Sequence, residues 1–174
     1  LLAVLFTVSC DTETKPRYIQ VQGEALGTFV SVISNTDKSE KSIASVIARI
    51  DAEAKASMSI FDESSLLSRV NRGQTDELDE HIIRNLEIAA RFTELSDGAY
   101  DVTIKPLTDA YGFAGEQNRK TQPNVDSLLQ FVGFELIAVE DGNLVRHDER
   151  VQLDFNSIAK GYVVDLVAEE LEKM

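Results

Sequence analysis

The stretch Asp154-Phe155-Asn156-Ser157-Ile158-Ala159-Lys160-Gly161-Tyr162-Val163-Val164-Asp165 carries the densest chemistry of the chain. Apolar Val151-Gln152-Leu153 runs into an acid, a small polar turn follows, and a helix opens over Ser157–Met174. Free backbone N–H groups and the dipole at a helix N-terminus attract anions. A carboxylate beside such a site repels a phosphate unless a cation lies between them, so the spacing points to a metal-bridged phosphate ligand. The competing explanation is structural: Asp154 caps the helix, Lys160 is solvated and Gly161 allows close helix packing. A glycine early in a helix costs about 1 kcal/mol relative to alanine, so Gly161 needs some reason, but the residues alone leave the two readings level.

Two other segments carry polar groups in number. Ser57–Asn71 reads as an irregular loop dense in serine, with Phe61, Leu66 and Leu67 holding it down. Its hydroxyls and amides suit a ribose or a phosphate, and they are also what surface loops ordinarily contain. Gly98–Leu107 reads as an extended segment stopped by Pro106, able to offer backbone N–H and C=O groups to a planar heterocycle, or simply a strand. His81 and His147 have no metal-like neighbours in sequence and read as surface residues. No nucleophile elbow, P-loop, GxGxxG or CxxC is present, which leaves hydrolase triads and dinucleotide-fold binding without support.

The elements that must position these residues follow from periodicity. Alternation over Tyr18–Gln22 and Gly27–Ser34 predicts a hairpin turning at Gly23–Ala25. Ile43, Val46, Ile47, Ile50 and Ala54 form a helical stripe in Ser39–Ala56, and Ile82, Ile83, Leu86, Ala89, Ala90 and Thr93 form another in Asp79–Ser96, closed by Asp97-Gly98. Tyr111-Gly112-Phe113 is a turn and Asn124–Phe131 a short helix closed by Gly133. Phe134–Val139 and Asn143–Arg146 are strands joined at Asp141-Gly142, where Asp-Gly favours a tight hairpin turn. Val151–Phe155 reads as a further strand. Strands and helices mix without strict alternation, so the fold class is α+β.

The 174 residues suit one domain, with 30 acids against 17 bases and a net charge of -13. A field of that sign repels DNA, RNA and anionic lipid surfaces, so no nucleic-acid partner is expected. The single cysteine, Cys10, excludes an internal disulfide. It follows the apolar run Leu1–Val8 and Ser9, and precedes the polar, proline-containing stretch Asp11–Arg17. Residues 1–10 therefore read as the end of a lipoprotein signal peptide, 11–17 as a tether and 18–174 as the folded portion. Acyl chains on Cys10 would anchor the protein to a membrane. A buried N-terminal strand with a structural cysteine is the alternative.

Four blocks in order resemble the ApbE family, the FAD:protein FMN transferases. They are Leu26-Gly27-Thr28-Phe29; Met58-Ser59-Ile60-Phe61 through Ser65, Ser68 and Asn71; Gly98-Ala99-Tyr100-Asp101-Val102-Thr103-Ile104 through Pro106-Leu107 with Tyr111-Gly112-Phe113; and Asp154–Asp165. The resemblance implies an ApbE-like α+β fold, a mixed antiparallel sheet with packed helices whose C-terminal half this chain lacks. It implies a periplasmic, lipid-anchored location in the bacterial cell envelope. The implied reaction is Mg²⁺-dependent transfer of FMN from FAD to a Thr or Ser hydroxyl of an acceptor protein, releasing AMP. An FAD pyrophosphatase and a non-catalytic FAD-binding lipoprotein are the alternatives.

By matched position, the resemblance implies that Leu26, Phe61, Ala99, Tyr100, Asp101, Asp154 and Lys160 contact FAD. It implies that Ser157 lends a main-chain oxygen to Mg²⁺, and that the remaining ligands, an Asp and a nearby Thr, lie in the missing half with the catalytic groups. Leu26 stands where Met is common, Phe61 where Tyr is, Tyr111 where Trp is and Asn156 where Gly is. The resemblance also implies a chain truncated at both ends.

Overall fold

A computed structural model of the chain describes residues 17–113 and 122–174. Residues 1–16, with Cys10 and the expected signal peptide and most of the tether, lie outside the described residues, as do 114–121. A two-stranded antiparallel hairpin opens the fold, β1 Tyr18–Ala25 and β2 Thr28–Asn35. The turn is Leu26-Gly27, and β1 runs straight through Gly23, where the composition had suggested the reversal. The register leaves two residues for the loop, Ala25 pairing with Thr28.

Helix α1, Glu40–Met58, is the hub of the core. The Ser39 hydroxyl caps it by accepting the Ser42 amide at 3.2 Å, with Glu40 in its first turn and Lys55 in its last. Its Ile43, Ile47, Ile50, Ala54 and Met58 stripe is buried, and it packs against β1, α2 (Leu66–Asn71), α3 (Glu80–Leu95) and α6 (Ala159–Glu172). The serine-rich stretch is thus half helix: Ser57 and Met58 finish α1, and Ser65 caps α2 through the Ser68 amide at 3.1 Å.

α3 is capped by Asp79, whose Oδ1 accepts both the Ile82 amide and the Ser57 hydroxyl at 2.9 Å. One carboxylate thereby ties the start of α3 to the end of α1. Ile82, Leu86 and Ala89 face inward with Asn85, which the apolar pattern passed over. The helix ends on two left-handed residues, Asp97 (φ +51°) and Gly98 (φ +80°). His81 is half-buried, not a surface residue: its Nδ1 lies 2.9 Å from the Tyr162 hydroxyl of α6.

Pro106 opens a helix instead of stopping an extended segment. It sits in the first turn of α4, Lys105–Ala110, where a missing N–H breaks no bond. α5, Val125–Leu129, is capped by Asn124. A single 3₁₀ turn over Phe134–Leu136 precedes β3, Ile137–Glu140, which pairs with β4, Asn143–Arg146, across Asp141-Gly142 as expected. Val151–Phe155 is extended and deeply buried but forms no strand among the described residues; its one ladder contact is a parallel bridge between Ile104 and Gln152. It is held instead by Asn71 at the end of α2. That side chain accepts the Leu153 amide at 2.7 Å and donates to the Leu153 carbonyl at 2.8 Å.

Candidate functional site

A cleft of about 440 Å³ opens between three elements. The Leu26-Gly27 turn forms one wall. Ala54, Lys55 and Met58 at the end of α1 form the floor with Ser59, Phe61 and Asp62 beyond them. Asn156, Ala159 and Lys160 at the start of α6 form the opposite wall. The volume is in the range of small-molecule pockets, and the mixture of apolar surface with a few charged groups is what such pockets use to bind and orient.

Each wall has a local cause. The two turn residues both have positive φ, +49° at Leu26 and +68° at Gly27, as a two-residue hairpin turn of this hand demands. Glycine tolerates that region; a leucine in it is strained by about 1–2 kcal/mol. The Leu26 amide donates to Asp51 Oδ1 of α1 at 2.7 Å, which holds the turn against the helix. In the loop, Ser65 and Ser68 hydroxyls both donate to the Ser59 carbonyl, at 2.5 and 3.0 Å. Ser59 Oγ in turn accepts the Phe61 and Asp62 amides at 3.2 Å. The serines therefore fold the loop on itself and thrust Phe61 outward. Phe61 is 66 % exposed and anchors nothing; the fully buried Leu67 does. Asp62 accepts the Ser64 hydroxyl and amide, which hold its carboxyl below the ordinary range.

Asp154 lies behind the α6 wall, 6 % exposed. Its Oδ1 accepts the Asn156 amide at 2.9 Å, and its Oδ2 accepts the Thr108 hydroxyl of α4 at 3.0 Å. Its own amide donates to the Val102 carbonyl at 2.8 Å. The carboxylate thus shapes the turn that presents Asn156 to the cleft. It does not cap α6: Ile158 holds that position, with no side-chain cap bond. Gly161 also departs from the packing explanation. A Cβ built there meets nothing within 4 Å, so close helix approach is not its reason. Lys160 makes no ion pair among the described residues and faces the cleft with its charge free.

The third block lies beside this turn. The Tyr100 hydroxyl lies 3.0 Å from Ser157 Oγ. Burial pushes the Tyr100 phenol above its ordinary pKa, opposed by the Ser157 hydrogen bond and reinforced by the Asp101 and Asp154 carboxylates, so it stays protonated at neutral pH. Asp101 Oδ1 accepts the Thr103 amide at 2.8 Å and hydroxyl at 2.7 Å. The amides of Ala99 and Tyr100 donate to the Ser96 carbonyl and hydroxyl, at 3.1 and 3.0 Å. Leu26, Phe61 and Lys160 therefore share the cleft, while Tyr100, Ser157 and Asp154 cluster around the turn before α6. Ala99 is exposed, and Asp101 braces its own loop.

Oxygen donors gather at that turn: the Asp154 carboxylate, which has lone pairs beyond its two hydrogen bonds, and the Ser157 carbonyl, to which no backbone amide donates among the described residues. All-oxygen donors fit a hard cation such as Mg²⁺, which keeps several waters and takes few protein ligands. No group of three or more His, Cys, Asp or Glu that could hold a metal occurs among the described residues. Asp51, Asn71 and Thr108 support the site and were not evident from sequence. Each acts on a residue far along the chain, and only the Asn71 position falls within a recognised block.

The ApbE family model matches residues 26–174. A Haemophilus influenzae protein named FAD:protein FMN transferase is 30% identical, over 100% of this chain and 55% of its own length. A Vibrio cholerae protein of the same name is 27% identical, over 99% of this chain and 54% of its own length. The solved flavin transferase ApbE from Vibrio cholerae superposes with a TM-score of 0.80 at 26% identity, covering 90% of this chain and 54% of that one. The ApbE protein from Thermotoga maritima gives 0.77 at 26% identity, covering 90% and 54%. The chain spans about half the length of the curated relatives it matches. With two small antiparallel sheets and packed helices matching these folds, and with the family model covering everything from the cleft-lining turn to the last helix, this chain belongs to the ApbE family.

Proposed function

We propose that the chain supplies the flavin-dinucleotide side of an FAD:protein FMN transferase. FAD gives up FMN to a Ser or Thr hydroxyl of an acceptor protein, and AMP leaves. The new bond joins the hydroxyl oxygen to the FMN phosphorus, the pyrophosphate P–O bond to AMP breaks, and the hydroxyl proton is lost. One observation carries this reading: a cleft with apolar Leu26 and Phe61 and a free Lys160 ammonium, bordered by a turn rich in oxygen donors, in an ApbE-family chain.

Phe61, exposed at the cleft edge, has a free face for a flat ring. Leu26 closes the other side. Lys160 meets the diphosphate as a point charge near the α6 N-terminus, where backbone N–H groups also favour anions. The Ser157 carbonyl is the donor here that would hold Mg²⁺, with the Asp154 carboxylate beside it on the FAD side. The metal would draw charge from the reacting phosphorus and stabilise the departing AMP.

The test is to incubate the full-length protein with FAD, Mg²⁺ and a candidate acceptor. An FMN mass on the acceptor, absent when EDTA is present from the start, is the expected result; FAD left intact, or FMN released only to water, overturns it. We further propose that Cys10 is acylated and tethers the protein to the periplasmic side of the cell envelope. Cys10→Ser should move the protein from the membrane to the soluble fraction.

A further inference from the structure

We propose that Asp51 is a positioning residue for the cleft, holding Leu26 in its left-handed conformation with one carboxylate oxygen and Lys55 in place with the other. This rests on reading the cleft as the FAD site. Asp51 does not line the cleft, but both groups it binds do. Its Oδ1 accepts the Leu26 amide at 2.7 Å, and its Oδ2 accepts the Lys55 ammonium at 2.7 Å. The carboxylate is well shielded, with 16% of its side-chain surface accessible against 51% for Lys55. Shielding strengthens both bonds, and the Lys55 charge offsets the burial of the carboxylate.

The need for such a residue follows from the turn. Its first central position demands positive φ, which Asn, Asp or Gly adopt readily and leucine does not. Leu26 sits there at φ +49°, lining the cleft while partly packed against the core. An asparagine would form the turn unaided and remove the apolar wall. With leucine the wall is kept, and the conformation has to be imposed from outside. Asp51 imposes it from α1, which is itself fixed by packing against β1, α2, α3 and α6. Strain held by a remote, well-fixed group is the signature of a preorganised site.

The two oxygens can be separated experimentally in the full chain. Asp51→Asn keeps an acceptor for the Leu26 amide and removes the charge from Lys55. Asp51→Ala removes both. Asp51→Glu keeps the charge and the helix but moves the carboxylate by a methylene, and it serves if the alanine variant fails to fold. Exchange of the Leu26 amide with solvent is read by NMR, and FAD affinity by quenching of its fluorescence. Loss of Leu26 protection in the Ala and Glu variants, retention in Asn, and FAD binding weakened about tenfold in Ala but little in Asn are expected. An alanine variant that protects Leu26 or binds FAD like wild type overturns the proposal, as does an equal loss of protection in Asn and Ala. If wild type itself fails to quench FAD, the FAD reading fails, and amide exchange still decides whether Asp51 holds the turn.

Discussion

Two hairpin turns in this molecule have the same backbone and opposite chemistry. Asp141-Gly142 joins β3 to β4 with φ of +50° and +77°; Leu26-Gly27 joins β1 to β2 with +49° and +68°. Aspartate is at ease in the left-handed region, so the first turn needs no side chain from elsewhere. Its surroundings add ordinary backbone bonds, the Leu78 amide to the Gly142 carbonyl at 2.8 Å among them. The second turn violates the same rule, and a carboxylate from α1 holds it. The self-sufficient turn lies away from the cleft, and the dependent one lines it. Local rules are broken where a side chain is kept for a ligand and the conformation is secured by other parts of the fold.

Segment 151–155 extends the contrast, since it too is held from a distance. The largest expected effect comes from removing its anchor. Asn71→Ala leaves the buried Leu153 amide and carbonyl without their side-chain partners, and should destabilise the chain by about 3 kcal/mol, read from urea unfolding. Because Asp154 follows Leu153 directly, FAD binding should weaken along with stability. A loss below about 1 kcal/mol would mean the segment is secured by its apolar neighbours alone.

Asp141→Leu rebuilds the strained turn where no carboxylate waits for it. It should destabilise by about 1–2 kcal/mol while leaving FAD affinity unchanged. If the substitution is silent, leucine is not strained in this turn and the contrast between the hairpins loses its physical basis.

How far the sequence showed these features depended on the range of the interaction. The α1 and α3 stripes repeat every three or four residues and were plain; so was Asp141-Gly142, whose two residues decide their own backbone. The Leu26-Gly27 turn is hidden because the local rule points to Gly23, while the β1–β2 register and a hydrogen bond to Asp51, 25 residues away, place it later. Asn71 and Thr108 reach across 82 and 46 residues to their partners, which no periodicity encodes. Pro106 is ambiguous in sequence because proline both ends extended segments and starts helices. Phe61 looked like an anchor because a large aromatic in a polar loop usually is one. The site residues were legible through family resemblance more than through their chemistry, and Gly161 shows why: its helix cost was visible, but the open space beside it was not.

That open space gives the next prediction in size. Gly161→Ala should stabilise the chain by about 1 kcal/mol, since a Cβ there meets nothing and alanine is the better helix former. If the space beside Lys160 receives the diphosphate, the same substitution weakens FAD binding. A stabilised variant that binds FAD normally would return Gly161 to chance and remove it from the site.

Leu26→Asn is the smallest expected change in stability and the sharpest test of the comparison. Asparagine adopts the left-handed region readily, so the turn should form without strain and the chain should gain about 0.5–1 kcal/mol in thermal unfolding. The apolar wall is lost at the same stroke, so FAD affinity should fall. Opposite signs in the two measurements are what a residue kept for a ligand requires. If asparagine lowers stability, the leucine side chain contributes more through its packing against the core than its backbone loses, and the turn is an ordinary piece of structure. In the Asp51→Ala background the stability gain should grow, because the carboxylate no longer offsets the strain that asparagine relieves. That non-additivity would place the two residues in one device, with α1 setting the conformation and the turn presenting its side chain to the cleft.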